Sequence, residues 1–344
     1  MSGGVDSSVA AALMKERCEC IGITLKLFDA GKDARGCCGL ADVKDAQQAA
    51  HALGIPHYTL NFTEAFGREV IGRFIETYES GATPNPCIDC NRYIKFNRLL
   101  FRARELDFDI LATGHYARTE KDPSGRWLLK KALDEKKDQS YVLYCLTQEQ
   151  LWSTRFPLGE LTKNEVRKIA GKCGFVNAEK KESQDICFVP DGDYGTFMEN
   201  YTGKHYPEGD IIGADGNVIG RHRGIVRYTL GQRRGLGVAV NRPVYVTAKN
   251  MADNTVTLGD EKDLYVKTLT ATGINLIACD NLEKPLRCTA RTRYLQREKP
   301  AIAEQTGPDE IRVTFDEGHR AITPGQAVVL YDGDIVIGGG TIRI

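Results

Sequence analysis

Two stretches of this 344-residue chain carry residue types at spacings that can do chemistry. The first is Ser2-Gly-Gly-Val-Asp-Ser-Ser8, running directly into an Ala-rich helical pattern. Gly3 and Gly4 permit a tight turn, so that backbone N–H groups can face a pyrophosphate while the following helix adds its N-terminal positive pole. Ser2, Ser7 and Ser8 add hydroxyls, and Asp6 adds an acid. The stretch lacks the lysine of a Walker A loop and the third glycine of a dinucleotide fingerprint. The second stretch is Thr83-Pro-Asn-Pro-Cys-Ile-Asp-Cys90, whose C-x-x-C pair reads as half a zinc site, a dithiol redox pair or part of an iron–sulfur site. No second C-x-x-C and no His-x-x-x-His supports structural zinc. Two prolines there predict an extended loop that presents Cys87 and Cys90 rigidly.

The elements around these stretches alternate. Helices are predicted at about 6–17, 40–53, 64–79, 95–106 and 163–172, and strands at 20–27, 57–61 and 109–113. Such alternation implies a doubly wound parallel sheet, whose ligands sit at the carboxyl ends of its strands. A hairpin is expected around Asp215-Gly216. From about Asn241 the chain reads as strand after strand, including Val244-Tyr-Val-Thr, Thr255-Val-Thr-Leu, Ile311-Arg-Val-Thr-Phe and Ala327-Val-Val-Leu-Tyr, which argues for a small β-barrel. The expected organisation is a catalytic α/β domain over 1–157, a central domain over 158–236 and a barrel over 237–344. A phosphate loop should follow a strand, and none precedes Ser2. A late start that omits this strand is therefore expected, and with it a non-catalytic binding protein stands as an alternative.

Composition is that of a soluble globular protein, with no apolar run of membrane-span length and no signal or transit peptide, which predicts a cytoplasmic protein. Eleven cysteines are too sparse for a disulfide scaffold and point to thiol or metal chemistry at some of them. Net charge is zero, yet the basic residues cluster: Arg221 to Arg234 holds five arginines and no acid, and Arg287 to Lys299 five positive residues against one negative. Each run includes a tyrosine, a combination suited to RNA, where cations meet phosphates and planar groups stack on unpaired bases.

The S-G-G-x-D-S stretch resembles the PP-loop of the ATP pyrophosphatases. Together with TPNPCIDCNRYIKF, Ala112-Thr-Gly-His-Tyr116, Lys137-Asp-Gln-Ser-Tyr141, Ser183-Gln-Asp-Ile-Cys-Phe188, Thr229-Leu-Gly-Gln-Arg233, Thr292-Arg-Tyr294 and Thr323-Pro-Gly-Gln326, it makes the whole chain resemble the tRNA-specific 2-thiouridylase family. The resemblance implies ATP with Mg2+, adenylation of the C2 oxygen of the wobble uridine in the tRNA anticodon arm, and sulfur from a persulfide donor such as a cysteine desulfurase or relay protein. It implies Ser2, Gly3, Gly4, Val5, Asp6, Ser7, Ser8, Leu25 and Gly114 at ATP, and Asn85, Pro86 and Cys87 at the target base. His115, Lys137, Asp138, Gln139, Arg293, Tyr294 and Gln326 match its tRNA contacts. Cys187 would carry the persulfide and Cys90 would attack it, leaving a Cys90–Cys187 disulfide; direct attack by the persulfide is the variant.

That chemistry agrees with the residues, because a urea-like C2 oxygen is a poor leaving group until adenylated, and sulfur nucleophiles suit the second step. The chain departs from better-known members, which have Asp at the position of Cys87. Three thiolates, Cys87, Cys90 and Cys187, can hold a [4Fe-4S] cluster, so the persulfide and cluster readings both stand at this point. The other alternative is a PP-loop ligase acting on an amine, against which the cysteines and the basic runs speak.

Overall fold

The computed structural model describes residues 1–28, 40–180 and 186–343. The Cys37-Cys38 pair and the Ser183-Gln-Asp part of the motif before Cys187 lie outside the described residues.

Helix α1 (Val5–Lys15) begins straight after Gly4, whose extended φ of −92° and ψ of 159° are those of an N-cap. Strand β1 (Gly22–Lys26), helix α2 (Leu40–Leu53) and strand β2 (His57–Asn61) follow, and β1 pairs with β2 in parallel, Thr24 opposite Thr59. Of the predicted strand at 109–113, only β3 (Leu111–Ala112) forms. Beyond it come β4 (Arg118–Lys121), β5 (Trp127–Lys130) and β6 (Thr154–Arg155), and β6 pairs in parallel with β3. These two parallel pairs, with helices between them in sequence, are the α/β part of the chain.

One expectation fails at the cysteine loop. The chain is helical from Pro86 to Glu105, in consecutive segments Pro86–Asp89, Cys90–Leu99 and Leu100–Glu105, so both cysteines lie in a helix rather than in an extended loop. Proline at the first helical position accounts for it, since its missing N–H is one the helix would leave unpaired anyway and its φ is preset. Only Thr83 to Asn85 remains as loop. The Cys90–Leu99 segment has the wider i→i+5 winding, as does Gly67–Gly72 in the helical run before the loop.

Downstream, β7 (Gly209–Ile212), β8 (Val218–His222), β9 (Tyr245–Asn250) and β10 (Thr255–Gly259) form one four-stranded sheet in the order β8-β7-β10-β9. The strands at 244–247 and 255–258, grouped from sequence with the barrel, thus join the sheet of the hairpin before them, β10 pairing with β7 and β9 with β10. Pattern reveals a strand and its faces, but not which edge it joins. The remaining strands, β11 (Tyr265–Leu276), β12 (Leu286–Arg291), β13 (Lys299–Gly307), β14 (Glu310–Arg320), β15 (Ala327–Asp332) and β16 (Ile335–Arg343), run β11-β14-β13-β12-β15-β16 and close through a β11–β16 pairing. The expected barrel is therefore present, with six closed strands. Its interior holds Leu269, Ala271, Ala290, Val313, Phe315 and Leu330, alternating with outward residues along each strand. The β4–β5 hairpin from the α/β part extends the barrel sheet, Lys130 opposite Ile335. Among the described residues no helix is long and apolar enough to cross a membrane.

Candidate active site

The Ser2–Ser8 stretch forms a turn tied together by its own hydroxyls. Ser7 Oγ donates to the Gly4 carbonyl at 3.0 Å and accepts from the Ser2 backbone N–H at 3.0 Å, and Ser8 Oγ donates to the same carbonyl at 3.2 Å. Ser8 is buried, whereas Ser2 is exposed and Ser7 half-buried. The turn is packed from two sides. Gly3, at φ +72°, would place a Cβ 2.3 Å from the Asp42 carbonyl oxygen of α2, and Gly114 would place one 2.8 Å from the Ser7 nitrogen. Glycine at both positions therefore lets two other segments touch the backbone of the loop.

Four residues not singled out in the sequence complete this end. Lys163 is 8% exposed, its ammonium lies 2.7 and 2.9 Å from the two Asp6 carboxylate oxygens, and the Tyr116 hydroxyl donates to Asp6 Oδ1 at 2.8 Å. Lys163 is held there because it is the first residue of the helix Lys163–Lys172, entered through a capping box of Thr162 and Glu165. Asn177, 3% exposed, donates to the Gly3 carbonyl at 3.0 Å and to Ser8 Oγ at 3.1 Å. Its side-chain amide oxygen Oδ1 is buried with no hydrogen-bond partner among the described residues. Lys180 bridges Asp42 at 2.7 Å and Asp45 at 2.6 Å, with the Gly3 carbonyl at 3.4 Å. The Thr-x-x-Glu signature was a readable signal for Lys163, but nothing in local sequence pairs it with Asp6.

The sulfur end is built differently. Cys90 is buried in an apolar cluster with Phe66, Phe74, Ile94, Phe188 and Val189, and Leu25 and Cys187 pack partly buried against that same cluster. Phe188 fixes the segment of Cys187, its ring meeting Phe66, Phe74 and Phe197 with centroids 5.7, 5.2 and 5.2 Å away. Cys87 is exposed and lies outside the cluster. Among the described residues no three His, Cys, Asp or Glu side chains are grouped to hold a metal ion. Between Cys87 and Cys90, burial pushes the Asp89 carboxyl up to about 6 against the pull of Arg92 and Arg73.

The residues matched to tRNA contacts are placed in several settings. The His115 ring lies between Phe96 and Phe156, with centroids 5.8 and 6.1 Å away, and its Nδ1 is 2.8 Å from the Thr113 hydroxyl. Burial, with Lys95 nearby, holds it well below the usual imidazole range. Gln139 exchanges hydrogen bonds with the backbone of Tyr116, its Oε1 accepting at 3.0 Å and its N–H donating at 2.8 Å. Asp138 is buried, accepting from the N–H groups of Ala132 and Ser140 and from the Ser140 hydroxyl. Lys137 is half-buried beside it. Tyr294 packs on Tyr141 at 6.2 Å. Arg293 donates to the carbonyls of Leu230 and Ala321 and to the Thr323 hydroxyl, at 3.0, 3.3 and 2.5 Å. Gln326 donates to the carbonyls of Thr83 and Pro84 at 3.0 and 2.8 Å, which puts it against the loop before Asn85 and Pro86. In the basic runs, Arg227, Arg287 and Arg291 are paired with acids, while Arg223, Arg233, Arg234 and Arg297 are exposed and make no ion pair among the described residues.

Comparison with known proteins covers the whole chain. Residues 1–191 match the family described as tRNA methyl transferase HUP domain, 195–260 the tRNA methyl transferase PRC-barrel domain, and 266–342 the aminomethyltransferase beta-barrel domain. The tRNA-specific 2-thiouridylase MnmA of Clostridioides difficile (strain 630) is 49% identical over 348 residues, covering 100% of this chain and 96% of the relative. That of Halothermothrix orenii (strain H 168) is 49% identical over 349 residues, covering 100% and 97%. That of Symbiobacterium thermophilum is 50% identical over 353 residues, covering 100% and 90%.

Proposed function

The chain belongs to the tRNA-specific 2-thiouridylases, PP-loop enzymes that form 2-thiouridine in tRNA, and on that premise we propose how its residues divide the reaction. The turn from Ser2 to Ser8 receives the triphosphate of ATP at the N-terminus of α1, with the Ser2 and Ser7 hydroxyls as donors and Leu25 and Gly114 along the nucleotide. Mg2+ keeps most of its water and needs few protein ligands, so the single Asp6 carboxylate suits the ion that travels with ATP. Lys163, now neutralised by Asp6, supplies the positive charge against which the pyrophosphate departs.

The C2 oxygen of the wobble uridine attacks the α-phosphorus, pyrophosphate leaves, and the base becomes an adenylate. A donor protein, such as a cysteine desulfurase or a sulfur-relay protein, loads Cys187 as a persulfide. The Cys90 thiolate attacks the inner sulfur of that persulfide, forming a Cys90–Cys187 disulfide and releasing hydrosulfide. Hydrosulfide adds at C2, AMP leaves with the original oxygen, and an external thiol reductant returns the disulfide to two thiols before the next turnover. These steps use Cys187 and Cys90 alone, with Cys87, exposed in the helical turn before Cys90, beside the base. The exposed arginines Arg223, Arg233, Arg234 and Arg297 contribute phosphate contacts to the anticodon arm, and His115, Lys137 to Gln139, Arg293 and Tyr294 shape its seat. A tRNA substrate and reduced thiols suit a cytoplasmic setting.

The observation that carries this reading is the shared apolar cluster of Leu25, Cys90 and Cys187, which ties the nucleotide side to both sulfur-handling residues. The test is single-turnover thiolation of tRNA, followed by mass spectrometry, with ATP and a persulfide donor. Thiolation at the wild-type rate by Cys90→Ala or by Cys187→Ala overturns the reading.

A further inference from the structure

We infer that the barrel turn Thr323–Gln326 is a clasp that positions the target-base loop, with Gln326 as a positioning residue for the reaction. The inference rests on the proposed reading of Asn85 to Cys87 as the segment beside the base. The loop before it is poor in backbone donors, because Pro84 and Pro86 have no N–H. Its carbonyls at Thr83 and Pro84 have neither a ladder nor a helix to pair with. Both are satisfied by a single side-chain amide from the far end of the chain: Gln326 Nε2 donates to Thr83 O at 3.0 Å and to Pro84 O at 2.8 Å. The return bond runs from the Thr83 N–H to the Pro324 carbonyl at 2.8 Å.

The contact is close and braced from behind. Gly325, at φ +84°, would place a Cβ 2.9 Å from Thr83 O and 3.1 Å from the Ala82 Cβ, so only glycine lets the two backbones approach this far. The Gly325 N–H donates to Ile342 O at 3.0 Å and the Ile342 N–H to Gln326 O at 2.8 Å, which anchors the turn to β16. Arg293 grips the Thr323 hydroxyl at 2.5 Å and reaches the Leu230 carbonyl at 3.0 Å. A residue whose amide is meant for RNA would face outward. Gln326 is 9% exposed and spends its NH2 on the loop. Its influence on tRNA therefore runs through the position of Asn85 and the first helical turn, where Cys87 and Cys90 stand.

The test uses the full chain with Gln326→Glu and Gln326→Met, which keep the length of the side chain but remove both donors. Expected is a fall of roughly ten- to hundredfold in single-turnover thiolation at saturating tRNA and ATP, as for a reacting group shifted by about an ångström. The tRNA Kd and its salt dependence should stay near wild type. Hydrogen exchange supplies a readout that needs no activity: the Thr83 amide is protected in the wild-type enzyme and loses protection in both variants. Wild-type rates in both variants, or a loss confined to tRNA Kd, overturns the clasp. An unchanged Thr83 amide does so too, and applies even to a variant that no longer turns over. Asn85→Ala separates the two levels: if it thiolates normally, the base-loop reading fails; if it is impaired while the Gln326 variants are not, only the clasp fails.

Discussion

The two ends of the proposed active site are held by opposite physics. At the nucleotide end the carboxylates have charged or hydrogen-bonding partners brought from distant segments: Asp6 with Lys163 and Tyr116, and Asp42 and Asp45 with Lys180. At the sulfur end, Cys90 and Cys187 rest in or against a cluster of aromatic and aliphatic side chains. A polyanion needs fixed donors and cations already aimed at it, since these need not reorganise when charge moves. A persulfide needs shelter from bulk thiols and water, and apolar packing of Phe66, Phe74 and Phe188 supplies that at roughly 2 kcal/mol per buried side chain. Electrostatic substitutions should therefore act on the first end, and removal of sulfur atoms on the second.

The largest expected effect breaks the sulfur end alone. Cys90→Ala or Cys187→Ala should lower thiolation by about three orders of magnitude or more, as for loss of an essential nucleophile, while tRNA-dependent pyrophosphate release from ATP persists. Parallel loss of both activities in either variant would show that the two ends are not separable.

Next in size is a substitution at the nucleotide end. Lys163→Met keeps the stem that fills the space beside Tyr116 and removes the charge. It should slow pyrophosphate release by about a hundredfold, the scale for loss of one fixed electrostatic donor, with tRNA affinity unchanged. Asp6→Ala should impair the same step and lower the melting temperature more than Lys163→Met does, because it strands a nearly buried ammonium without its carboxylate. Full activity of Lys163→Met would leave Lys163 as a structural tie only.

A smaller effect comes from acid. His115 is neutral in the fold because burial lowers its pKa well below the usual 6.5, whereas the unfolded chain protonates at that ordinary value. The unfolded state thus binds more protons below about 6.5, so the stability given by the neutral ring is present above that pH and is lost as the pH falls through and below it. His115→Gln should flatten that part of the melting-temperature profile. An unaltered profile would mean that another group governs the acid side.

What could be read from sequence follows the same division. The phosphate turn, the α/β alternation and the C-terminal barrel were legible because glycine turns, helix caps and period-two strands are local signals. The partners of Asp6 were not, since Tyr116 and Lys163 reach it from 110 and 157 residues away. The helix at Pro86 was misread because two prolines suggest an extended chain, whereas the second stands where a helix accepts one. The pairing of β10 with β7, which brings β9 into the same sheet, was hidden as well, because strand patterning reveals the face that is buried and leaves the neighbour undetermined.

The smallest expected effect decides between two chemistries at the sulfur end. Cys87 sits one helical turn before Cys90, yet Cys90 is buried in the apolar cluster and Cys87 is exposed outside it. If sulfur moves as a persulfide, Cys87 only borders the base, and Cys87→Ala should thiolate within about twofold of wild type, the usual range for an exposed side chain outside the reacting pair. If the three thiolates instead bound a cluster, removing Cys87 would strip a ligand, and activity and iron would fall together. Thiolation by the alanine variant, measured beside iron and acid-labile sulfide in anaerobically purified wild-type protein, separates the cases. Iron-free wild-type enzyme and an active Cys87→Ala variant are the expected pair. Stoichiometric iron lost on Cys87→Ala would mean that the exposed thiol moves inward to join Cys90 and Cys187, and the contrast between a charged end and an apolar end would then give way to a metal-centred one.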